Sequence, residues 1–584
     1  MTPRVRTWLL LLLSALFTVP ALFVGFSHDD LVHRLRLEHR IPEFSDTWWS
    51  LYDFTPARSP ATLLAERGML PWFTNPQLSL RFLRPIASVT LALDHACFGR
   101  HALPPHLHSL VWQLLLTLIA TKLYARWFTP RAAWLSALVF VVSSVHAVPT
   151  AWLASRHTLV AAVFGSGALL AWARFREERW QPGRWLGPAL LALGLLSSES
   201  ALVAVVLLAG YEIGTRGLRR GLRGAAPHVL LGVAYLAIYA ALGYGARGST
   251  FYVSPFDSPL RYFKTALLGV PALAVELVLG MPSAVAGLVD GAQTAFFVIG
   301  LAAVGGCAAL LYVLRNEQSA STRQTLLWLG PSTFIGLWAL VGAVVTGRVL
   351  PLPMVGAAAV LGNLLAAAWA KARDPSGART LRKRWLLPLA LLSLSSFVIS
   401  PLMRVGAALQ FRGFVNAQRE LASNAEVGAC AERGFAYLLT AADPILALSA
   451  AATLFFYTPE KAHFERFRVL SMAPQAQRLR RVAANGFELS VLDLPRRSNA
   501  FESLFRAPEE PLHAGQRFKT GELDASVLEA AGGAFTRVRF ELNTDLENGP
   551  VCLLVWKNGR LSQLPLPAIG QSLDIAHEPG PMGM

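Results

Sequence analysis

Two acidic residues, Asp29 and Asp30, stand side by side in "GFSHDDLVHRL" (residues 25–35), directly after the first long apolar run of the chain. An apolar run leaving a membrane usually carries basic or aromatic flanks, so an acid pair at this place calls for another duty. A carboxylate at such a boundary is suited to accept a proton as a general base. Further ionisable groups interrupt apolar sequence at Arg84, His106, His146, Arg156, Glu199 and Arg348. Helix capping or a solvated loop accounts for any one of them taken alone. Ionisable groups at a membrane boundary are costly unless they line a cavity, and guanidinium groups hold phosphate through paired hydrogen bonds. Together the residues describe an anion site with a carboxylate base.

The elements that position these groups follow from composition and charge order. The chain has 584 residues, 54% hydrophobic and only 15% charged, with a mean hydropathy of +0.43. That excludes an ordinary soluble domain and describes a polytopic membrane protein. The net charge of +17 lies in clusters between apolar runs, so no nucleic-acid partner is expected. Cys97, Cys307, Cys430 and Cys552 lack metal-ligand spacing, and neither a disulfide framework nor a zinc site is implied. No cluster demands a metal ion, and no cofactor is expected. The basic, then apolar, start of the chain reads as a retained first span, being long for a signal core and without a small-x-small cleavage site.

Apolar segments recur near 8–26, 106–125, 132–148, 157–173, 186–197, 200–213, 226–245, 293–314, 324–345, 352–370 and 385–402. Basic clusters at 122–131, 174–184, 216–223, 315–323 and 371–384, with Arg4 and Arg6, mark the cytoplasmic side. The expected architecture is a mostly α-helical polytopic membrane protein of about eleven spans with a small C-terminal extracytoplasmic domain, α/β and then β-rich. The N-terminus is cytoplasmic, the C-terminal domain periplasmic, and a bacterial inner membrane is the expected location. Its divisions are a first span (1–26), a long outer loop with the acids (27–104), a multi-span membrane domain (105–403) and the outer domain (404–584).

Residues 186–213 read as a hairpin of two short arms with "SSES" at its outer tip. Residues 261–284 break the parity if they cross, and are placed as an outer-face or re-entrant helix. In the long loop, "SDTWWSLYDF" and "RFLRPIASVTLALDHACFG" read as interfacial amphipathic helices, with Trp48, Trp49, Trp72 and Phe73 at interface depth. Asp443-Pro444 argues against a twelfth span, and 434–457 reads as a buried strand followed by a helix. The alternating runs beyond it read as strands of a docking or lid module without a catalytic motif of its own.

The order of motifs resembles the C-type, multi-span glycosyltransferases, most closely the transmembrane O-mannosyltransferase branch that usually carries tetratricopeptide repeats. A "DD" pair after the first span is matched by Asp29-Asp30, and "YRP" before an "H-x-x-N-x-x-x-H" helix by Leu83-Arg84-Pro85 before His106. "HPVHTEAVAWIAGRKDLL" is similar to "SSVHAVPTAWLASRHTLV", "LSKES" to "LSSES", and "ERYLYLPSVG" to "GRVLPLPMVG". The chain departs from these patterns at Ser109, Gln113, Val148, Thr158 and Ser198, and no tetratricopeptide repeat follows. The resemblance covers roughly residues 20–370 and implies an enzyme that moves a sugar from a polyprenyl-phosphate donor to an acceptor hydroxyl on protein, glycan or lipid, with inversion. It implies Asp29 as general base and Asp30 as its helper or as a group that positions the acceptor. Arg84, His106, His146, Arg156, Glu199 and Arg348 match substrate-site or loop positions. Two other readings fit the same residues: a transporter or flippase of a lipid-linked anion, and a non-catalytic membrane assembly protein.

Overall fold

The computed structural model describes residues 2–44, 48–289, 291–373, 383–457, 467–497, 499 and 501–583. Part of the "SDTWWSLYDF" segment (45–47), and Arg379 and Arg382 of the last basic cluster, lie outside the described residues. The chain begins with α1 (Pro3–Thr18), prolonged to Phe23 by a tighter turn, and α2 (Asp29–Leu37). The first long loop holds α3 (Ala61–Glu66), β1 (Ser79–Arg81) and α4 (Pro85–Phe98). Then come α5 (Leu103–Trp127), α6 (Pro130–Val142), α7 (Ala147–Ala151), α8 (Arg156–Glu178), α9 (Gly183–Leu195), α10 (Leu202–Arg216) and α11 (Leu218–Ala241). A short β2 (Gly245–Arg247) precedes α12 (Pro259–Leu279), α13 (Val285–Leu288), α14 (Ala292–Val313), α15 (Ala320–Gly336) and α16 (Pro353–Ala372). A last long helix runs over Leu386–Ser423.

Proline starts many of these helices: α4, α5, α6, α12 and α16 all carry it in the first turn, where no backbone donor is lost. Among the described residues, eight helical stretches are long and apolar enough to cross a membrane, or nine if α6 and α7, bent by 46° at Ser143, count as one span. The expected eleven included α9 and α10, whose 13 and 15 residues fall below a full crossing, and α15, whose 17 residues continue into a tighter turn to Leu340. The protein is thus mostly helical and multi-pass, with short helices packed among the long ones. Close approach between helices uses small residues, as expected where lipid supplies no hydrophobic drive. A Cβ on Gly362 would lie 2.3 Å from Ser136, on the facing helix α6.

Helix α12 is among the eight by length and composition. It packs closely on α14, where a Cβ on Gly300 would lie 2.0 Å from the Pro271 carbonyl oxygen. It also meets the segment after α15: Tyr262 donates to the Trp338 carbonyl at 2.5 Å, Gly269 abuts Val341 and Val345, and Glu276 lies against Gly347. Gly347 has no room for a side chain, since a Cβ would sit 1.9 Å from a Glu276 oxygen.

The segments that connect the helices at one end of the bundle meet there. Antiparallel β1 and β2 join the first long loop to the segment after α11. Residues 48–54 form turns instead of the expected amphipathic helix. Arg36 holds them by donating to the carbonyls of Ser50 and Leu51 at 3.1 and 2.5 Å, and Asp53 bridges to Arg81 beside β1.

The C-terminal domain contains two sheets. One has the order β11-β10-β3-β4, from β3 (Phe435–Leu438), β4 (Phe467–Val469), β10 (Val551–Lys557) and β11 (Arg560–Gln563), with parallel pairing of β3 to both β10 and β4. The other is antiparallel, β12-β5-β6-β9-β8-β7, from β5 (Gln477–Ala483), β6 (Gly486–Val491), β7 (Arg517–Thr520), β8 (Leu523–Ala531), β9 (Ala534–Leu542) and β12 (Ser572–Ile575). The last long helix passes through residue 404, the expected domain boundary, and ends at Ser423. After β3, Ile445–Tyr457 is helical.

Two sequence expectations change here. Trp72 and Phe73 are each 2% exposed, not interfacial. Trp72 packs against Phe518, Phe535 and Phe540 of the antiparallel sheet and donates to the Leu470 carbonyl at 2.8 Å. And Cys430 and Cys552 form a disulfide across 122 residues, tying the helix Ala425–Arg433 to β10. Their separation in sequence hid the pairing.

Candidate functional site

The site starts at the turn into α2. His28 holds φ +46°, a conformation L-residues rarely adopt, at a cost of about 1–3 kcal/mol that surrounding contacts must offset. The Asp30 carboxylate supplies them, accepting from the Ser27 backbone N–H at 3.0 Å and from the Ala154 N–H at 2.6 Å. Asp30 is 3% exposed, and with both oxygens engaged by backbone it pins the α1–α2 turn to the "WLASRH" segment. Asp29, the next residue round the helix, is only partly buried and has no hydrogen-bond partner among the described residues. Burial raises the Asp29 carboxyl to about 6 against the pull of the Arg348 and Arg84 guanidinium groups. Burial likewise raises Asp30, to about 7, opposed by its two backbone donors and aided by the Asp29 charge. The two acids differ in their contacts: Asp30 is held by two backbone N–H groups, and Asp29 has no hydrogen bond among the described residues.

Arg84 sits at the N-terminus of α4, whose position is fixed where the Ile86 N–H meets the Leu196 carbonyl at 3.1 Å. Its Nε donates to Glu199 Oε2 at 2.8 Å, and its Nη1 meets His157 Nε2 at 3.1 Å. Because a guanidinium only donates, His157 Nε2 accepts, and Nδ1–H is left to donate to Ser198 Oγ at 3.0 Å. Tyr239 donates to the other Glu199 oxygen at 3.1 Å. The guanidinium also lies over the rings of Phe82 and Tyr52, at 4.5 and 5.1 Å. Burial opposes the Arg84 charge, but Glu199 together with the Tyr239 and Tyr52 hydroxyls more than offsets it.

Arg348 is different. It donates to the Tyr252 hydroxyl at 3.3 Å and lies 5.5 Å over the Trp152 ring, with no carboxylate partner among the described residues.

A cavity of about 450 Å³ opens between these groups, lined by Arg84, His157, Glu199 and Arg348 together with aromatic side chains such as Phe82, Tyr235, Tyr239 and Tyr252. That volume lies within the range of small-ligand sites. The wall formed by residues 245–256 is held from outside the bundle: the Thr250 N–H donates to the Ser503 carbonyl at 2.9 Å and the Ala507 N–H to the Gly248 carbonyl at 3.1 Å. Among the described residues no three His, Cys, Asp or Glu side chains are arranged to hold a metal ion.

No family model matches this chain. A search of the curated proteins finds no match either. Among solved structures it is similar to the Archaeoglobus fulgidus oligosaccharyltransferase tethered to an acceptor peptide containing the NVT sequon, at 12% identity and a TM-score of 0.41 over 80% of this chain. The chain spans 64% of the length of that archaeal enzyme. It is also similar to ArnT from Cupriavidus metallidurans bound to undecaprenyl phosphate, at 12% identity and a TM-score of 0.40, covering 79% of this chain and 86% of that one. At such values the likeness is confined to the general course of the chain.

Of the residues singled out in the sequence, Arg84, Glu199 and Arg348 line the cavity, and Asp29 lies within the field of both arginines. The others are elsewhere. His106 is fully buried and faces the carbonyls of Gly25 at 2.9 Å and Thr150 at 3.3 Å, joining two turns. His146, also fully buried, faces the Phe140 carbonyl at 2.9 Å. Arg156 is 1% exposed and bonds Asp94 and the Pro105 carbonyl at 2.5 Å and Ser109 Oγ at 2.9 Å. It ties α4 and α5 to α8. His157, Tyr52, Trp152 and the aromatic lining were not singled out. His157 follows Arg156 in a quoted motif, so its signal was present. The aromatics share the look of any membrane-helix residue and gave none.

Proposed function

We propose that the protein is an integral-membrane glycosyltransferase that moves a sugar from a polyprenyl-phosphate donor to an acceptor hydroxyl, with inversion at the anomeric carbon. The observation that carries this is a carboxylate, Asp29, in the field of two guanidinium groups, where among the described residues Asp29 has no hydrogen bond and Arg348 no ion pair. In this reading the donor phosphate takes the open place beside Arg348, with Arg84 behind it, since a desolvated guanidinium gains most from an oxyanion. The acceptor oxygen forms a bond to the anomeric carbon as the carbon–oxygen bond to phosphate breaks. The electron pair leaves with the phosphate, and Asp29 takes the hydroxyl proton. A carboxyl near pH 6 is matched to that transfer at neutral pH. Tyr and Phe faces in the cavity suit the apolar faces of a pyranose ring. Asp30, His106, His146 and Arg156 serve as scaffold, holding the loops that present Asp29. The motif order given above supports the same reading and makes mannosyl donors the first to try. The site then faces the periplasm of a bacterial inner membrane, and the C-terminal domain buttresses the wall of the cavity.

The test is transfer of label from polyprenyl-phosphate sugars, mannose first, in membranes that contain the protein. Label in a product that no longer carries the polyprenyl chain supports the transferase. Label that crosses the bilayer still attached to its lipid instead supports the flippase.

A further inference from the structure

A second cavity, of about 730 Å³, lies between α12, α14, α15 and α16. Its lining is apolar along most of its length, with Ala274, Leu277, Val304, Leu326 and Phe334 among the contributors. The charged and amide groups gather at one end, in the turn from α14 to α15 and the first turn of α15: Arg315, Gln318 and Arg323; Thr333, further along, donates to the Leu329 carbonyl at 2.7 Å. Each of the three at the end has donors to spare. Arg315 uses one N–H on the Tyr312 carbonyl at 2.7 Å, and the Arg323 guanidinium has no hydrogen bond or ion pair among the described residues. The Gln318 Nε2 is buried without a partner among the described residues. The acid of the same turn, Glu317, is paired with Lys371 at 2.7 Å, so it does not cancel these charges.

We propose that this cavity holds one anionic phospholipid, drawn from the leaflet that meets the α14–α15 turn, with its phosphate on Arg315, Arg323 and Gln318 and an acyl chain between the helices. Basic pockets between membrane helices recognise such headgroups, and an apolar cavity with donors at one mouth matches a molecule apolar everywhere but at its head. The donors lie at the end of α15 remote from the Arg348 site. The far end of the cavity is closed by Leu337, and Ala339 and Leu340 belong to the wall of the other cavity. The headgroup is therefore on the opposite side of the bundle from the sugar site, and binding is independent of Asp29.

Native mass spectrometry of the full chain in neutral detergent, titrated with phosphatidylglycerol or phosphatidylcholine of the same acyl chains, reads this directly. Wild type is expected to retain one phosphatidylglycerol at least tenfold better than phosphatidylcholine. The Arg315→Gln/Arg323→Gln double variant and the cavity-filling Val304→Trp variant are each expected to lose that retention at an unchanged thermal midpoint. Equal retention of both lipids by wild type overturns the proposal whatever the variants do. So does displacement of the bound lipid by polyprenyl phosphate together with its loss in Arg348→Gln, which would give the cavity to the donor's tail.

Discussion

Replacing Asp29 by Asn separates stability from activity in opposite directions. Burial lifts this carboxyl from an ordinary 3.8 to about 6. Such a rise corresponds to about 3 kcal/mol, and to about 2 kcal/mol once partial contact with water is allowed for. Because the folded-state value lies above the unfolded one, the folded protein binds the proton more tightly. This contribution favours folding below about pH 4, is lost as pH rises towards 6, and is absent above it. Asn keeps the shape and never ionises. Asp29→Asn should therefore be more stable than wild type by about 2 kcal/mol at pH 7.5, with the gap closing towards pH 4. Thermal midpoints of the detergent-solubilised protein at pH 7.5, 6 and 4.5 measure it. A variant less stable than wild type at pH 7.5, or a difference that does not change with pH, would refute the picture of a buried, unpartnered carboxylate.

Three further outcomes follow from the same geometry. Arg348→Gln should leave the thermal midpoint nearly unchanged, since no carboxylate is orphaned. It should also weaken polyprenyl-phosphate binding at least tenfold and move the acid limb of the rate profile above pH 6, because Arg348 lowers the Asp29 value; a rate profile that stays put contradicts it. Arg156→Ala removes the guanidinium partner of the buried Asp94, leaving it His108 at 2.8 Å, and should cost roughly 3 kcal/mol, whereas Arg156→Met with Asp94→Leu should recover most of it; thermal midpoints decide. Trp72→Ala empties the contact between the first long loop and the C-terminal domain at a cost of about 3–5 kcal/mol, and limited proteolysis should then release that domain before the helical bundle is cut.

The sequence made the helical bundle legible because long apolar runs and the basic clusters between them report on the bilayer one segment at a time. It also picked out Arg84, Glu199 and Arg348, since charge in apolar surroundings is visible without any fold. The resemblance gave Asp29 the base's role and Asp30 a supporting one, but not the backbone anchoring of Asp30, which depends on the Ala154 N–H, 124 residues away. Arg156, His106 and His146 looked like site residues for the same reason as Arg84, and only the identity of their partners, backbone carbonyls and Asp94, places them in the scaffold. Trp72 and Phe73 were misread because an aromatic at a membrane interface and one in a domain contact have the same local sequence. The disulfide needed the parallel pairing of β3 with β10 to bring Cys430 and Cys552 together.

The most direct test of the site is to follow donor binding and sugar transfer in the same preparation, for wild type beside Asp29→Asn. Both should bind the polyprenyl-phosphate sugar with similar affinity, and transfer should fall by a factor of about 10²–10⁴ in the variant, as loss of a general base requires. Transfer at the wild-type rate by Asp29→Asn, with donor bound, would contradict that role.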